Sequence, residues 1–105
     1  MHVTLYGDAK KAQSSREGLY FLQTDPVNKK PCWFQENGGN AIWNDGDGWW
    51  IIGPKKGLGE DTCGIYSADD VEDPHQALTW NYSNSVNWID YIESKDIFVS
   101  RTGII

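Results

Sequence analysis

The chain has 105 residues, six of them tryptophan, and a formal net charge of −6 from 15 acidic and 9 basic residues. This length suits one core, so residues 1–105 are expected to fold as a single domain. The only clustered bases are three isolated lysine pairs, which argues against a nucleic-acid surface. The most apolar run, Trp49–Ile52, is too short to cross a membrane.

The first part of the chain is predicted to contain two short strands after an irregular start. Residues 7–17 are polar and are expected to form a loop, so residues 1–17 are partly irregular. Aromatic and aliphatic residues predict strands at Leu19–Leu22 and Cys32–Gln35. Asp25-Pro26 begins the connection between them, because proline fixes φ and aspartate can cap its own backbone.

The clearest local prediction is a β-hairpin in the middle of the chain. Asn40–Asn44 and Trp49–Gly53 are predicted strands around Asp45–Gly48, whose Asp-Gly pairs suit a turn with positive φ. Side chains of the second strand alternate between two apolar faces, so Trp49 and Trp50 point in opposite directions. This strand is therefore either central and covered on both sides, or it leaves Trp50 available to a partner.

The remaining segments complete an all-β prediction. Short apolar runs separated by turn residues predict further strands at Cys63–Ser67, Leu78–Tyr82, Val86–Ile92 and Asp96–Ser100. The expected architecture is one antiparallel domain of about seven or eight short strands, a sandwich or a small barrel. It has at most a helical turn near residues 68–77 and a tail at residues 101–105.

The N-terminus and the cysteines bear on the compartment and on metals. The first residues lack the basic and apolar regions of a signal peptide, so a soluble, cytoplasmic protein is expected. Cys32 and Cys63 suit thiols in a reducing compartment, although spacing alone leaves a disulfide open. With His2 and His75 they are candidate zinc ligands, but structural zinc sites pair their ligands closely and these do not. No metal or cofactor is expected.

Two polar constellations could carry chemistry. The alternating oxygens of Asn44–Gly48 suit calcium, but the segment lacks the further acid and the distal glutamate of an EF-hand, so a plain hairpin turn is favoured. His75 near Asp70 and Asp73 offers acid–base groups without any nucleophile motif. A non-enzyme is therefore favoured, and a small acid–base hydrolase is kept as an alternative.

Short motifs rich in aromatic residues occur between residues 15 and 100. They are Glu17-Gly18-Leu19-Tyr20, Lys30-Pro31-Cys32-Trp33, Ala41-Ile42-Trp43, Gly48-Trp49-Trp50-Ile51-Ile52-Gly53 and Gly64-Ile65-Tyr66-Ser67, followed by Pro74 and Trp80. Together they resemble an uncharacterised module rich in Trp and Tyr that recurs in large multidomain eukaryotic proteins. The resemblance implies a β module used for association, with no catalytic residues.

Three of these motifs, Gly18-Leu19-Tyr20, Trp49-Trp50 and Gly64–Ser67, also support a second, partial resemblance. They resemble the opening strand, the paired tryptophans and a later strand of SH3 domains. The proline and the Asn-Tyr pair that complete the family's polyproline groove are missing. The resemblance therefore implies architecture and no function.

The aromatic surplus is the strongest functional signal. Tryptophan and tyrosine are enriched at binding hot spots, so a non-catalytic module with an aromatic patch for a protein, a peptide or a second copy is favoured. Carbohydrate binding is the alternative, with tryptophans stacking on sugar rings and polar side chains binding hydroxyls. The expected ligand-binding residues are Trp50, Trp80, Trp88, Asn44, Asp45 and Asp47, of which the three tryptophans are expected nearest the surface.

Overall fold

The computed structural model describes residues 1–59, 64–83 and 91–101 and confirms the all-β prediction. In these residues nine strands form one antiparallel sheet, against the seven or eight expected. The strands are β1 His2–Leu5, β2 Gly18–Leu22, β3 Trp33–Gln35, β4 Asn40–Asn44, β5 Trp50–Pro54, β6 Ile65–Ser67, β7 Trp80–Ser83, β8 Tyr91–Ser94 and β9 Ile97–Ser100. One α-helix, α1, spans Gly7–Gln13, and 3₁₀ turns lie at Ser14–Arg16, Lys55–Gly57 and Pro74–Gln76.

The strands follow one another around the sheet as a meander that the last strand closes. Strands β1 to β8 are neighbours in chain order, and β9 returns to pair with β1, with Val3 opposite Val99. Side chains from β1 and β9 share a core with those of β6 and β7, near the other end of the sheet. The sheet is therefore curled, and its inner face encloses the main core.

Each face of the sheet carries its own hydrophobic cluster. The inner cluster includes Val3, Leu5, Tyr20, Trp33, Ile42, Trp50, Ile52, Ile65, Trp80, Tyr82, Ile97 and Val99. The outer cluster is built on Trp43, Ile51, Ala41 and Cys32, with Val27, Phe34, Leu58, Tyr66 and Tyr91 packed around it. Both clusters draw on β4 and β5, so the central hairpin is covered on both sides.

The predicted hairpin is confirmed, with its second strand shifted by one residue to Trp50–Pro54. Strands β4 and β5 pair from Asn40 opposite Pro54 to Asn44 opposite Trp50. Gly46 and Gly48 in the turn have φ values of 93° and 95°, the left-handed region that favours glycine. The Asp-Gly pairs therefore stand where the backbone needs them.

The prediction of a loop over residues 7–17 is wrong. This segment forms α1 and a 3₁₀ turn, and α1 buries Ala9 and Gln13, which lie one helical turn apart. The Gln13 side-chain amide donates to the carbonyl of Ser83 in β7, at 2.7 Å. The helix is thus held by a contact distant in sequence. The 3₁₀ turn at Pro74–Gln76 falls inside the segment where a helical turn was expected.

Several expectations fall on residues outside the described ranges. They concern Cys63, the strand portion at 86–90 and the tail at 102–105. Across the described ranges, no helix combines the length and the apolar character needed to span a membrane.

Candidate functional site

Some of the described tryptophans are buried and one is exposed, and the sequence did not predict which. Trp50 and Trp80 are 0% and 1% exposed, so the expectation that they lie near the surface is wrong. Trp33 and Trp43 are also buried, whereas Trp49 is 41% exposed. Trp88 lies outside the described residues. Trp49 is thus the exposed indole of the part that the structure describes.

Trp50 is buried because it begins β5 on the inner face of the curled sheet. Its indole nitrogen donates to the carbonyl of Val71 at 2.8 Å, and its ring lies 6.0 Å from that of Trp33 between centroids. Trp80 occupies the same face on β7 and belongs to the same core cluster. Neither side chain is presented to a partner.

Three aromatic side chains contact one another in series on the outer face. This aromatic ladder consists of Trp49, Tyr66 and Tyr91. The Trp49 and Tyr66 rings are stacked, with centroids 4.8 Å apart and planes 9° from parallel. Tyr66 meets Tyr91 edge to face at 5.0 Å. Tyr66 covers one face of the indole, which leaves the opposite face as the side that can receive another group.

The hairpin turn beside Trp49 uses its polar side chains in two ways. Asn44 is buried, and its side-chain oxygen accepts from the backbone of Gly46 at 2.9 Å, so it serves the turn rather than the surface. Asp45 Oδ1 accepts from the backbone nitrogens of Asp47 and Trp49, at 2.8 and 3.1 Å. The Asp47 side chain is exposed. Asp45 therefore fixes the backbone from which Trp49 projects.

Hydrogen bonding in this turn bears on the calcium hypothesis. The side-chain oxygens of Asn44 and Asp45 are aimed at backbone N–H groups. No group of three or more metal-ligating side chains occurs within the described ranges. These contacts are those of a hairpin turn stabilised by its own side chains.

The acidic segment after β6 is folded against this end of the hairpin. The carbonyl of Val71 accepts from the Trp50 indole nitrogen, and Asp69 Oδ2 accepts from the backbone of Leu78 and Thr79, at 2.8 and 2.9 Å.

A Cβ atom placed on Gly48 would lie 3.0 Å from a carboxylate oxygen of Asp70. Asp70 therefore lies beside Gly48, the turn residue that precedes Trp49.

His75 and Asp73 form a pair, but Asp70 is positioned elsewhere. His75 Nδ1 lies 2.5 Å from Asp73 Oδ1, and Asp73 also caps the turn Pro74–Gln76 and pairs with Arg101 at 3.5 Å. A cleft of about 320 Å³ adjoins this pair. It is lined by Met1, Leu22, Pro31, Trp33, Asp73 and Arg101. These contacts serve to cap a turn and leave the hydrolase hypothesis without a specific supporting feature.

The candidate zinc ligands that the structure describes, His2, Cys32 and His75, each take part in a separate structural contact. His2 Nδ1 lies 3.0 Å from the Thr4 hydroxyl, and Cys32 is a buried free thiol 3.5 Å from the carbonyl of Asp25. Burial, and secondarily the charge of Asp25, raises the pKa of the Cys32 thiol. Cys32 belongs to the outer cluster together with Trp43, so its role is to fill the core.

The aromatic ladder was not predicted because its members are distant in sequence: Trp49 precedes β5, Tyr66 lies in β6 and Tyr91 lies in β8. Outer-face residues that neighbour the ladder include Asn81, opposite Tyr66, and Glu93, opposite Asn81, and they alternate with apolar residues of the inner face. That polar alternation was the available signal: it marks the face carrying Trp49 as the more exposed one.

Comparisons with known proteins gave no match. No family model matches the chain, and neither a curated protein nor a solved structure does so. The resemblances to the Trp- and Tyr-rich module and to SH3 domains therefore stay predictions.

Proposed function

We propose that this chain is a non-catalytic binding module that recognises a protein or peptide through the aromatic ladder. The observation that carries the proposal is the exposed Trp49 indole stacked on Tyr66. Single exposed apolar residues are common and need no explanation. An indole held in one orientation by a second ring and by an ordered turn is a different case, because its surface is already arranged for a partner.

Preorganisation is the physical advantage of this arrangement. A partner that covers the free face of Trp49 gains large contact area, while little rotamer freedom remains to be lost. The stack with Tyr66 and the Asp45 hydrogen bonds restrict the ring before binding. Aromatic anchors of this kind are enriched among residues that dominate binding energy.

Selection of peptides tests the proposal. A random peptide library is selected on the wild-type chain, and the affinities of enriched peptides are measured for wild type, Trp49→Ala and Phe98→Ala. Phe98 is the matched control, since it is 52% exposed on β9. We expect Trp49→Ala to weaken binding at least about tenfold, the effect of a hot-spot residue. Enriched peptides that bind Trp49→Ala as well as wild type, or no enrichment at all, would overturn the proposal.

The partner protein can also be a second copy of this chain, in which case the aromatic ladder mediates self-association. Sedimentation velocity over a range of protein concentrations measures it directly. A concentration-dependent rise in the sedimentation coefficient that Trp49→Ala removes and Phe98→Ala preserves is the expected signature. A constant monomer value rules out this version and leaves peptide recognition to the library test.

Carbohydrate binding is a second candidate supported by the same residues. The free face of Trp49 is flat, and Asp45 and Asp47 lie beside it with carboxylate oxygens that can accept from sugar hydroxyls. A glycan array compared between wild type and Trp49→Ala separates this candidate from peptide binding. Absence of any Trp49-dependent glycan signal would remove it.

A further inference from the structure

We infer that the group recognised by Trp49 is the guanidinium of an arginine side chain on the partner peptide. This inference rests on the proposed function and names the chemistry of its partner. Two independent features carry it: an aromatic face that no described cation covers, and nearby carboxylates that have no ion-pair partner among the described residues.

The first feature is the free indole face. On the same outer surface, the Phe34 ring already carries the ammonium of Lys55, 5.0 Å from its centroid. Within the described residues no lysine or arginine covers Trp49 in this way. An indole is the best aromatic acceptor for a cation. The strongest cation-binding ring of this surface, the Trp49 indole, is therefore available to a cation from a partner.

The second feature is unbalanced negative charge at the hairpin end. Asp45, Asp47 and Asp70 have no ion-pair partner among the described residues, whereas Glu72, close by in sequence, is paired with Lys30 at 3.6 Å. Asp47 and Asp70 are exposed. Asp45 and Asp47 belong to the turn and Asp70 lies beside Gly48 of the same turn, while screening at physiological salt extends over about 8 Å. The local potential favours a cationic partner and opposes an anionic one.

Arginine fits the two features better than lysine or a neutral group. Its planar guanidinium can lie flat on an indole while its edge donates to carboxylate oxygens. An ammonium is more strongly hydrated and offers no plane to stack. A sugar would use the indole face but would gain little from the net charge. Arginine is therefore the ligand chemistry that uses both the ring and the carboxylates.

The test compares an arginine probe with its neutral isostere. Acetyl-arginine amide and acetyl-citrulline amide are titrated into ¹⁵N-labelled wild type, and the indole N–H resonance of Trp49 is followed by NMR. We expect saturable shifts with the arginine probe and an affinity about two- to fivefold above that of citrulline at low salt, the range of an exposed cation–π contact. Equal affinity for the two probes, or no response of the indole to either, would overturn the inference.

Charge variants give the matched control. Asp47→Asn and Asp70→Asn are combined, because neither side chain is used by the turn as Asp45 is. We expect the double variant to lose most of the preference for arginine over citrulline. Glu36→Gln removes a carboxylate at the opposite end of β4 and should leave that preference unchanged. An undiminished preference in the double variant would also overturn the inference.

Failure of this inference is separable from failure of the proposed function. Library peptides that require Trp49, yet bind equally after their arginines are replaced by citrulline, would uphold the binding module and reject arginine as its ligand. Loss of every Trp49-dependent interaction would reject both. Trp49-dependent peptides that lose affinity on the arginine-to-citrulline change would support both.

Discussion

Trp49 and Trp50 are adjacent in the chain, but the alternation of the backbone places them in different environments. Trp50 enters the inner core and donates to Val71, whereas Trp49 leaves the sheet on the outer side and stacks on Tyr66. The same residue type therefore serves stability at one position and is available for recognition at the next. Their substitution should separate the two roles.

Trp50→Phe should destabilise the fold far more than Trp49→Phe. Loss of part of a fully buried ring, with the Val71 carbonyl left unpaired, should lower the free energy of unfolding by roughly 2 to 4 kcal/mol. The exposed ring of Trp49 should contribute less than about 1 kcal/mol. Urea unfolding of both variants measures the difference. Equal losses would contradict the assignment of Trp50 to the core and Trp49 to the surface.

Tyr20 predicts a loss of stability at alkaline pH. Burial raises the pKa of its phenol well above the ordinary value, despite the opposing charge of Arg16, and the hydroxyl donates to the Arg16 carbonyl at 2.6 Å. The unfolded state releases this proton near pH 10, while the folded state retains it. Above pH 10 the unfolded state thus binds fewer protons, and the free energy of unfolding falls by up to about 1.4 kcal/mol per pH unit.

The measurement is urea unfolding between pH 8 and roughly pH 11, a range chosen to bracket the ordinary tyrosine pKa. Tyr20→Phe should be less stable at neutral pH, because it loses the hydrogen bond, yet show a shallower alkaline decline. Some decline should remain, since burial also raises the pKa of Tyr82. An unchanged slope in Tyr20→Phe would show that Tyr20 does not carry this dependence.

Among the elements, the β4–β5 hairpin has a turn in which neighbouring aspartates differ in role. Asp45 accepts two backbone hydrogen bonds, whereas no hydrogen bond involves the Asp47 side chain within the described residues. Asp45→Ala should therefore lower the free energy of unfolding by about 1 to 2 kcal/mol. Asp47→Ala should change it by less than about 0.5 kcal/mol. Comparable effects of the two substitutions in chemical denaturation would contradict this assignment.

The hairpin was predictable because its information is local, and α1 was not because its information is distant. Glycines with positive φ and a run of apolar residues specify β4 and β5 within their own sequence. Helix α1 is short and polar, and it depends on burying Ala9 and on the Gln13 contact with Ser83. The aromatic ladder has the same difficulty, since Tyr66 reaches Trp49 only after β6 pairs with β5.

At the scale of the whole molecule, the fold is closed by the pairing of its first and last described strands. Strand β9 pairs with β1 from His2 opposite Ser100 to Leu5 opposite Ile97. The sequence shows where apolar and polar residues alternate within each strand. It does not show which distant strands pair, because strand propensity carries no information on partners. Closure makes the stability of distant elements interdependent.

A matched pair in β9 tests this interdependence. Val99 points into the core with Val3, whereas Phe98 is half exposed on the opposite face. Val99→Asp would bury an unpaired carboxylate, at a cost of several kcal/mol against a total stability of about 5 to 15 kcal/mol. Because one core joins β9 to the central hairpin, we expect Val99→Asp to weaken the whole fold in one transition.

Two probes report whether that loss is cooperative: tryptophan fluorescence, dominated by indoles in the inner and outer clusters, and far-ultraviolet circular dichroism of the sheet. In Val99→Asp both should shift together to lower denaturant, whereas Phe98→Asp should stay near wild type in each. Separate transitions in Val99→Asp would mean that β1 and β9 melt without the hairpin. The ladder at Trp49 would then be supported by β4 to β8 alone, and closure by β9 would be unnecessary for the proposed binding face.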